Sequence, residues 1–184
     1  GSGMYGSVYA LAIQPDGKVL AAGNFTQMNN ILCGMVTRLN DDASIDPGFA
    51  MVTLSSDTLT PAVRSMILQP DGRILISGRF STVNGAEREN IARLNSDGTI
   101  DETFDPETDA EDIVSAIALQ ADGRVLVLST YEVEVGLQQN TLTRLNSDGT
   151  LDGSFIAGSG SPYYDQFYQL PPTLSLHPDG RALI

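Results

Sequence analysis

Tryptophan is missing from this chain, cysteine and histidine occur once each, and 10 basic residues stand against 23 acids. Each shortage removes a class of function. A single cysteine, Cys33, can form neither an internal disulfide framework nor a multi-cysteine zinc site, and is expected to be a small buried residue. A single histidine, His177, leaves no partner for a Ser-His-Asp or Cys-His hydrolase or for a His-ligated metal centre, and is expected to flank a turn. A formal charge of −13 repels phosphate backbones and anionic headgroups, so no nucleic-acid partner is expected. No apolar run approaches the roughly 18 residues of a membrane span and no basic-then-apolar leader is present, so neither membrane insertion nor a targeting address is expected. Helix signals are nearly absent, and no glycine-rich phosphate loop leads into a helix. What remains is 184 residues with 41% hydrophobic content, enough for one compact soluble domain across 1–184.

That domain is repetitive. "QPDGKVL" from Gln14, "QPDGRIL" from Gln69, "QADGRVL" from Gln120 and "HPDGRAL" from His177 follow one another at intervals of 55, 51 and 57 residues. A second motif runs in step: "TRLNDDASIDPGF" from Thr37, "ARLNSDGTIDETF" from Ala92 and "TRLNSDGTLDGSF" from Thr143 each place their arginine 21 residues after the preceding motif's glycine. Length varies only between a closing Phe and the next motif, which is where connections between units belong. The units span approximately 4–49, 58–104, 111–155 and a partial 173–184.

Turn chemistry folds each unit. In "SMILQPDGRILIS" two apolar runs flank Pro70-Asp71-Gly72. Pro suits the first position of a type I turn, Asp the second, and Gly the left-handed third position of a three-residue bulged loop. The register then sets Leu68 opposite Ile74 and Met66 opposite Ile76, and the nearly continuous apolar runs predict inner strands buried on both faces. The same arithmetic on "IARLNSDGTIDETF" gives the loop Ser96-Asp97-Gly98, with Leu94 opposite Ile100 and Arg93 opposite Asp101. The Arg-to-Asp offset of eight returns at Arg38/Asp46 and Arg144/Asp152. Such cross-strand pairs contribute about 0.2 to 1 kcal/mol each, so the arginine is expected to fix register rather than hold a ligand. Ala43 stands where Gly98 and Gly149 stand. The prediction there is a changed loop or a residue strained by about 1 kcal/mol.

An inner hairpin followed by an outer one in every unit is the content of an all-β, antiparallel, four-stranded propeller blade. "ALAIQPDGKVLAAGNFT" followed by "VTRLNDDASIDPGF" resembles the delta-60 repeat family of β-propellers, over almost the whole chain. The resemblance implies a propeller scaffold of bacterial secreted and surface proteins, usually without an assigned activity, and transfers no catalytic residue. Departures are Ala121 for Pro, Ala43 for Gly, and Ser129-Thr130-Tyr131 where the first two units read Gly23-x-Phe25 and Gly78-x-Phe80. Propellers close with about four to eight blades, whereas three and a half units are present, so a segment of a longer array is expected rather than closure by simple dimerisation. Gly1-Ser2-Gly3 resembles Gly158-Ser159-Gly160 and is either a unit junction or a cloning remnant. Unpaired edges at the ends would be covered by neighbouring blades or other protein chains.

No chemistry emerges from the motifs. Read as an EF-hand loop, "RLNSDGTIDETF" puts Arg93 at the first ligand position and Phe104 at the twelfth, which forbids calcium. The acidic run Asp101 to Asp112 reads as a solvated loop. No pair of carboxylates is singled out as a glycosidase acid and base. The sequon Asn24-Phe25-Thr26 lies at a strand end and matters only in a glycosylating host. No catalytic residue, metal ligand or cofactor is therefore assigned. One segment, "GSGSPYYDQFYQLPP" from Gly158, is enriched: Tyr163, Tyr164, Phe167 and Tyr168 are candidate partner-binding residues, on a loop suited to protein or glycan contacts. The expected function is a non-enzymatic scaffold or interaction module at the cell surface or outside the cell, within a larger assembly. The alternative is a propeller domain that accompanies or houses a carboxylate-based hydrolase.

Overall fold

Glycines that must be left-handed set the first turns. In the computed structural model, which describes residues 3–57, 60–106, 113–134, 137–155, 163–164, 174–177 and 182–183, Gly17, Gly72 and Gly123 have φ of +88°, +84° and +85°. Each closes its loop through an N–H donated to the carbonyl of Gln14, Gln69 or Gln120.

The first unit contains β1 (Met4–Tyr5), β2 (Val8–Ile13), β3 (Val19–Gly23), β4 (Gln27–Met28), β5 (Ile31–Leu32) and β6 (Val36–Leu39). The second contains β7 (Leu54–Ser55), β8 (Ala62–Leu68), β9 (Ile74–Arg79), β10 (Thr82–Val83), β11 (Ala86–Glu87) and β12 (Ile91–Leu94). The third contains β13 (Ile113–Leu119), β14 (Val125–Glu134), β15 (Leu137–Leu145) and β16 (Tyr163–Tyr164), and β17 (Ser175–Leu176) and β18 (Ala182–Leu183) follow. No helix occurs among the described residues.

The register agrees with the turn arithmetic: Leu68 pairs with Ile74, Met66 with Ile76, and Leu94 bridges to Ile100. β2-β3-β6 and β8-β9-β12 form antiparallel three-stranded sheets, and β13-β14-β15-β16 forms the corresponding sheet of the third unit. The outer return is marked by isolated bridges. In each unit the outer hairpin's return begins with one bridge, Leu39 to Ile45, Leu94 to Ile100 or Leu145 to Leu151, and in the first unit Val52 bridges back to Val36. The cause of the isolation lies in the residue after each hairpin bridge. The Asp101 N–H donates to the Arg93 carbonyl at 2.8 Å, but its side-chain oxygen then accepts from the Thr103 N–H and hydroxyl, which bends the chain away from the ladder.

Two small sheets, β1-β4-β5 and β7-β10-β11, accompany the first two units. Their hairpins turn through left-handed Asn29-Asn30 and Asn84-Gly85. Among its described residues the third unit has no such sheet. Where Gly23 and Gly78 leave no room for a Cβ beside the Ser7 and Ala62 carbonyls, the third unit carries Ser129, and β14 and β15 continue as one long hairpin.

Successive sheets stack. Leu20, Ala22 and Val36 of the first unit pack with Val63, Met66, Ile74 and Ile76 of the second, and Leu75 and Ile91 of the second pack with Val114, Ile117, Val125 and Val127 of the third. Burial of the inner hairpin on both faces therefore holds where a sheet lies on each side. It fails for β2, whose Leu11 and Ile13 remain 67% and 75% exposed because nothing among the described residues stacks on that face.

Candidate functional site

The chemistry that recurs is a joint between units, built on the arginine of the outer hairpin. Arg93, fully enclosed, donates from Nε to Asp101 Oδ2 at 2.7 Å, from one terminal nitrogen to the Ser147 carbonyl of the next unit at 2.6 Å, and lies over the Phe104 ring, 4.7 Å from its centre. Arg38 repeats the arrangement with Asp46 at 2.8 Å, the Ser96 carbonyl at 2.7 Å and Phe49 at 5.0 Å. Arg144 binds Asp152 at 2.7 Å and covers Phe155 at 4.6 Å. The planar fork of arginine suits this double duty: one edge holds a carboxylate while another N–H reaches across the unit boundary.

A second cation approaches each carboxylate from the inner hairpin. Lys18 lies 2.7 Å from Asp46, Arg73 3.4 Å from Asp101 and Arg124 3.7 Å from Asp152. The residue after each turn glycine is thus always a base aimed at an aspartate 28 residues on, a fixed spacing in the sequence that was not read as a pair. The environment holds these acids ionised. The Lys18 ammonium, the Gly48 N–H and Arg38 bring Asp46 to a pKa of about 2. Burial alone would raise Asp101, but Thr103, Arg93 and the Thr103 N–H outweigh it and also hold it at about 2. The Ser154 hydroxyl and N–H, with Arg144, do the same for Asp152. These are joints closed by their own partners, and the cross-strand pair is a buried contact rather than a surface one.

The turn aspartates are likewise engaged. Asp97 Oδ1 accepts from the Thr99 N–H at 3.0 Å and hydroxyl at 2.7 Å, Gly98 has φ +87°, and the segment that resembled a calcium loop is a hairpin. Ala43 is left-handed at φ 61° in the same loop, which selects the strained residue of the two expectations. Among the described residues no group of His, Cys, Asp and Glu could hold a metal ion. Cys33 is buried, and burial raises its thiol pKa. His177 is exposed and directly follows β17. Asn24 of the sequon accepts the Ser7 N–H at 2.7 Å just beyond β3. A cleft of about 80 Å³ lies between Gly3, Met4, Tyr5, Gln27 and Asn30, well below the roughly 300 Å³ at which small-molecule pockets begin.

Of the four aromatic candidates, Tyr163 and Tyr164 form β16, whose backbone pairs Tyr163 with Gln138 and Tyr164 with Leu137 at the edge of the third sheet. Phe167 and Tyr168 lie outside the described residues, as does 107–112 of the acidic run.

Sheets of this kind, stacked unit on unit and latched at equivalent arginines, define a β-propeller type of repeat protein. The chain belongs to the beta-propeller domain family of unknown function DUF5122, the delta-60 type of repeat, whose model matches residues 14–49, 69–104 and 120–155, more than half of the chain. Each match runs from the Gln of a first motif to the closing Phe of a second. No curated protein matches the chain.

Proposed function

We propose that this chain is a non-catalytic scaffold and interaction module, a segment of about three and a half propeller blades whose outer returns complete a fourth strand, working within a larger secreted or surface-exposed assembly. What carries this reading is the fate of the repeated carboxylates. Asp46, Asp101 and Asp152 are each held between cations and hydrogen-bond donors, with pKa values of about 2. A carboxylate so tied is a poor general acid, since efficient proton transfer wants a pKa near the working pH. The loop carrying Tyr163, Tyr164, Phe167 and Tyr168 is the proposed contact for protein or glycan partners, because tyrosine offers apolar area and a hydroxyl at low entropic cost.

The test sets binding against turnover. The chain is immobilised and exposed to a panel of polysaccharides and surface proteins, while the same panel is assayed for hydrolysis. Saturable binding that Tyr163→Ala with Tyr164→Ala removes, without turnover, supports the proposal. Hydrolysis that an aspartate-to-asparagine change abolishes favours instead a propeller housing a carboxylate-based hydrolase.

A further inference from the structure

The repeat supplies an internal standard for one pair of positions. A bulge leaves one residue of each inner strand out of the ladder: Tyr9 in β2, Arg64 in β8 and Ser115 in β13. Beside it, at or just past the far end of the paired strand, stands Asn24, Arg79 or Thr130. In the first and third units these positions are neutral and their polar groups are engaged. Asn24 Oδ1 accepts the Ser7 N–H at 2.7 Å, the Ser115 and Thr130 hydroxyls share a hydrogen bond at 3.1 Å, and Thr130 donates to Asn140 Oδ1 at 2.8 Å. The second unit places two arginines there. Guanidinium groups only donate, so neither can satisfy the other.

Both arginines are half-buried and held in place without an acid. Arg64 lies over the Tyr9 ring of the first unit, 5.0 Å from its centre, and makes no side-chain hydrogen bond among the described residues. Arg79 directs Nε and one terminal nitrogen at a single oxygen, the Thr60 carbonyl, at 2.9 and 2.7 Å. Every other described base lies 2.7 to 3.4 Å from an aspartate. These two alone among the described bases have no such partner, in a chain with 23 acids. Burial lowers the Arg79 pKa and the Arg64 charge lowers it further, with Tyr9 acting the other way. Adjacent like charges are destabilising, and neither neighbouring unit needs them to fold the same bulge. The pair also sits in the middle unit, whose sheet is packed by the first unit on one side and the third on the other.

We infer that Arg64 and Arg79 form a binding site for the carboxylate of a small ligand. The planar fork of Arg64 is uncommitted and Arg79 keeps its second terminal nitrogen, so one carboxylate placed between them accepts from both and cancels their repulsion. The stack on Tyr9 and the bond to Thr60 orient the two groups before anything binds. The chain's charge of −13 opposes any anion in proportion to the anion's own charge, which disfavours a monoanion least and a polyanion most. This site is separate from the loop of Tyr163 and Tyr164, and each can fail without the other.

Titration of the chain with sodium glucuronate at low salt, followed by nuclear magnetic resonance, tests the site, with glucose as the uncharged counterpart and sulfate as a dianion. The expected result is saturable movement of the Arg64 and Arg79 Nε–H signals with glucuronate, none with glucose, a weaker response to sulfate, and loss of affinity as sodium chloride is added. Arg64→Ser with Arg79→Thr installs the pair that the third unit carries. Read from the backbone amides of β8 and β9, it should weaken glucuronate binding by about tenfold or more while the circular dichroism spectrum is unchanged. Arg64→Lys keeps the charge without the fork and should also bind more weakly than the parent. Glucuronate that moves these signals no more than glucose overturns the inference. So does binding that survives the double substitution, or full affinity in Arg64→Lys. Sulfate bound more tightly than glucuronate overturns the assignment to a carboxylate.

Discussion

Replacing Arg93 with methionine separates the two tasks of the arginine joint. The guanidinium is 6% exposed, and its partner Asp101 is 5% exposed. Removing one member of a buried pair typically costs about 3 to 5 kcal/mol, because the other is left charged without compensation. Here Asp101 keeps the Thr103 bonds and Arg73 at 3.4 Å, so the lower end, about 3 kcal/mol, applies. The lost bond to the Ser147 carbonyl adds about 1 kcal/mol, giving about 4 kcal/mol in all. Arg144 holds its own Asp152 and Phe155 but donates to no later unit among the described residues, so Arg144→Met should cost less, by about that 1 kcal/mol. Adding Asp101→Asn to Arg93→Met should recover part of the loss, since the uncompensated charge goes with it. Urea unfolding followed by circular dichroism gives the totals, and native-state hydrogen exchange assigns them to units, which matters because repeat arrays can open stepwise. An Arg93→Met chain within about 0.5 kcal/mol of the parent, the usual range of inert surface changes, would refute the joint. Equal losses at Arg93 and Arg144 would refute its reach across the unit boundary.

Three further outcomes follow from the same geometry. Ala43→Gly should raise stability by about 1 kcal/mol by relieving a left-handed alanine, whereas Gly98→Ala should lower it by more than that, since strain at φ +87° adds to contacts at 2.9 Å; thermal melts of the two variants check the opposite signs. The folded-state pKa of Asp46, Asp101 and Asp152 is depressed from 3.8 to about 2, so the stability they contribute is present above about pH 4 and is lost as pH falls towards about 2; melting temperatures measured down that range should fall less steeply in Asp101→Asn. The side-chain carbonyl oxygens of Gln14, Gln69 and Gln120 are buried without a hydrogen-bond partner, and Gln69→Met, which keeps the shape and removes the polar atom, should be neutral or stabilising by about 1 kcal/mol in urea titrations.

The strand registers were legible because their determinants are local. Pro70-Asp71-Gly72 specifies its turn whatever surrounds it, and the turn fixes Leu68 opposite Ile74. The offset of eight between Arg93 and Asp101 located a true contact for the same reason. How far the outer return stays on its ladder was not legible at that very contact. Facing positions were read as a continuing ladder, but Thr103, two residues after Asp101, supplies the donors that turn the chain out of it. Longer-range facts left no local trace. Nothing beside Arg93 distinguishes an N–H that ends in water from one that reaches Ser147, 54 residues away. Leu11 and Met66 occupy the same place in the same motif, yet one is 67% exposed and the other 9%, since burial depends on the neighbouring sheet. The sequence did mark where the third unit differs: Ser129-Thr130-Tyr131 in place of Gly-x-Phe coincides with the long β14 to β15 hairpin.

The distribution of charge over the fold narrows where binding chemistry can reside. Arg38, Arg93, Arg144, Lys18, Arg73 and Arg124 make up more than half of the chain's 10 basic residues, and all six approach the same three aspartates. A partner recognised by its negative charge at these six would have to compete with contacts that latch one unit to the next, and breaking them would loosen the scaffold that presents the surface. Apolar and aromatic surface lies outside this competition. Among the described residues it is concentrated on the first unit, in Leu11, Ile13, Ile31 and Leu32. Ala43 shows the same division within one turn: at Gly98 and Gly149 a side chain is excluded by the preceding unit, whereas the exposed Ala43 carries a methyl group in a left-handed conformation. Within these units the joint positions are fixed by stacking, so one unit can differ from another without loosening the joints only at positions that stacking leaves free, as at Ile31 and Leu32, where the second unit has Ala86 and Glu87.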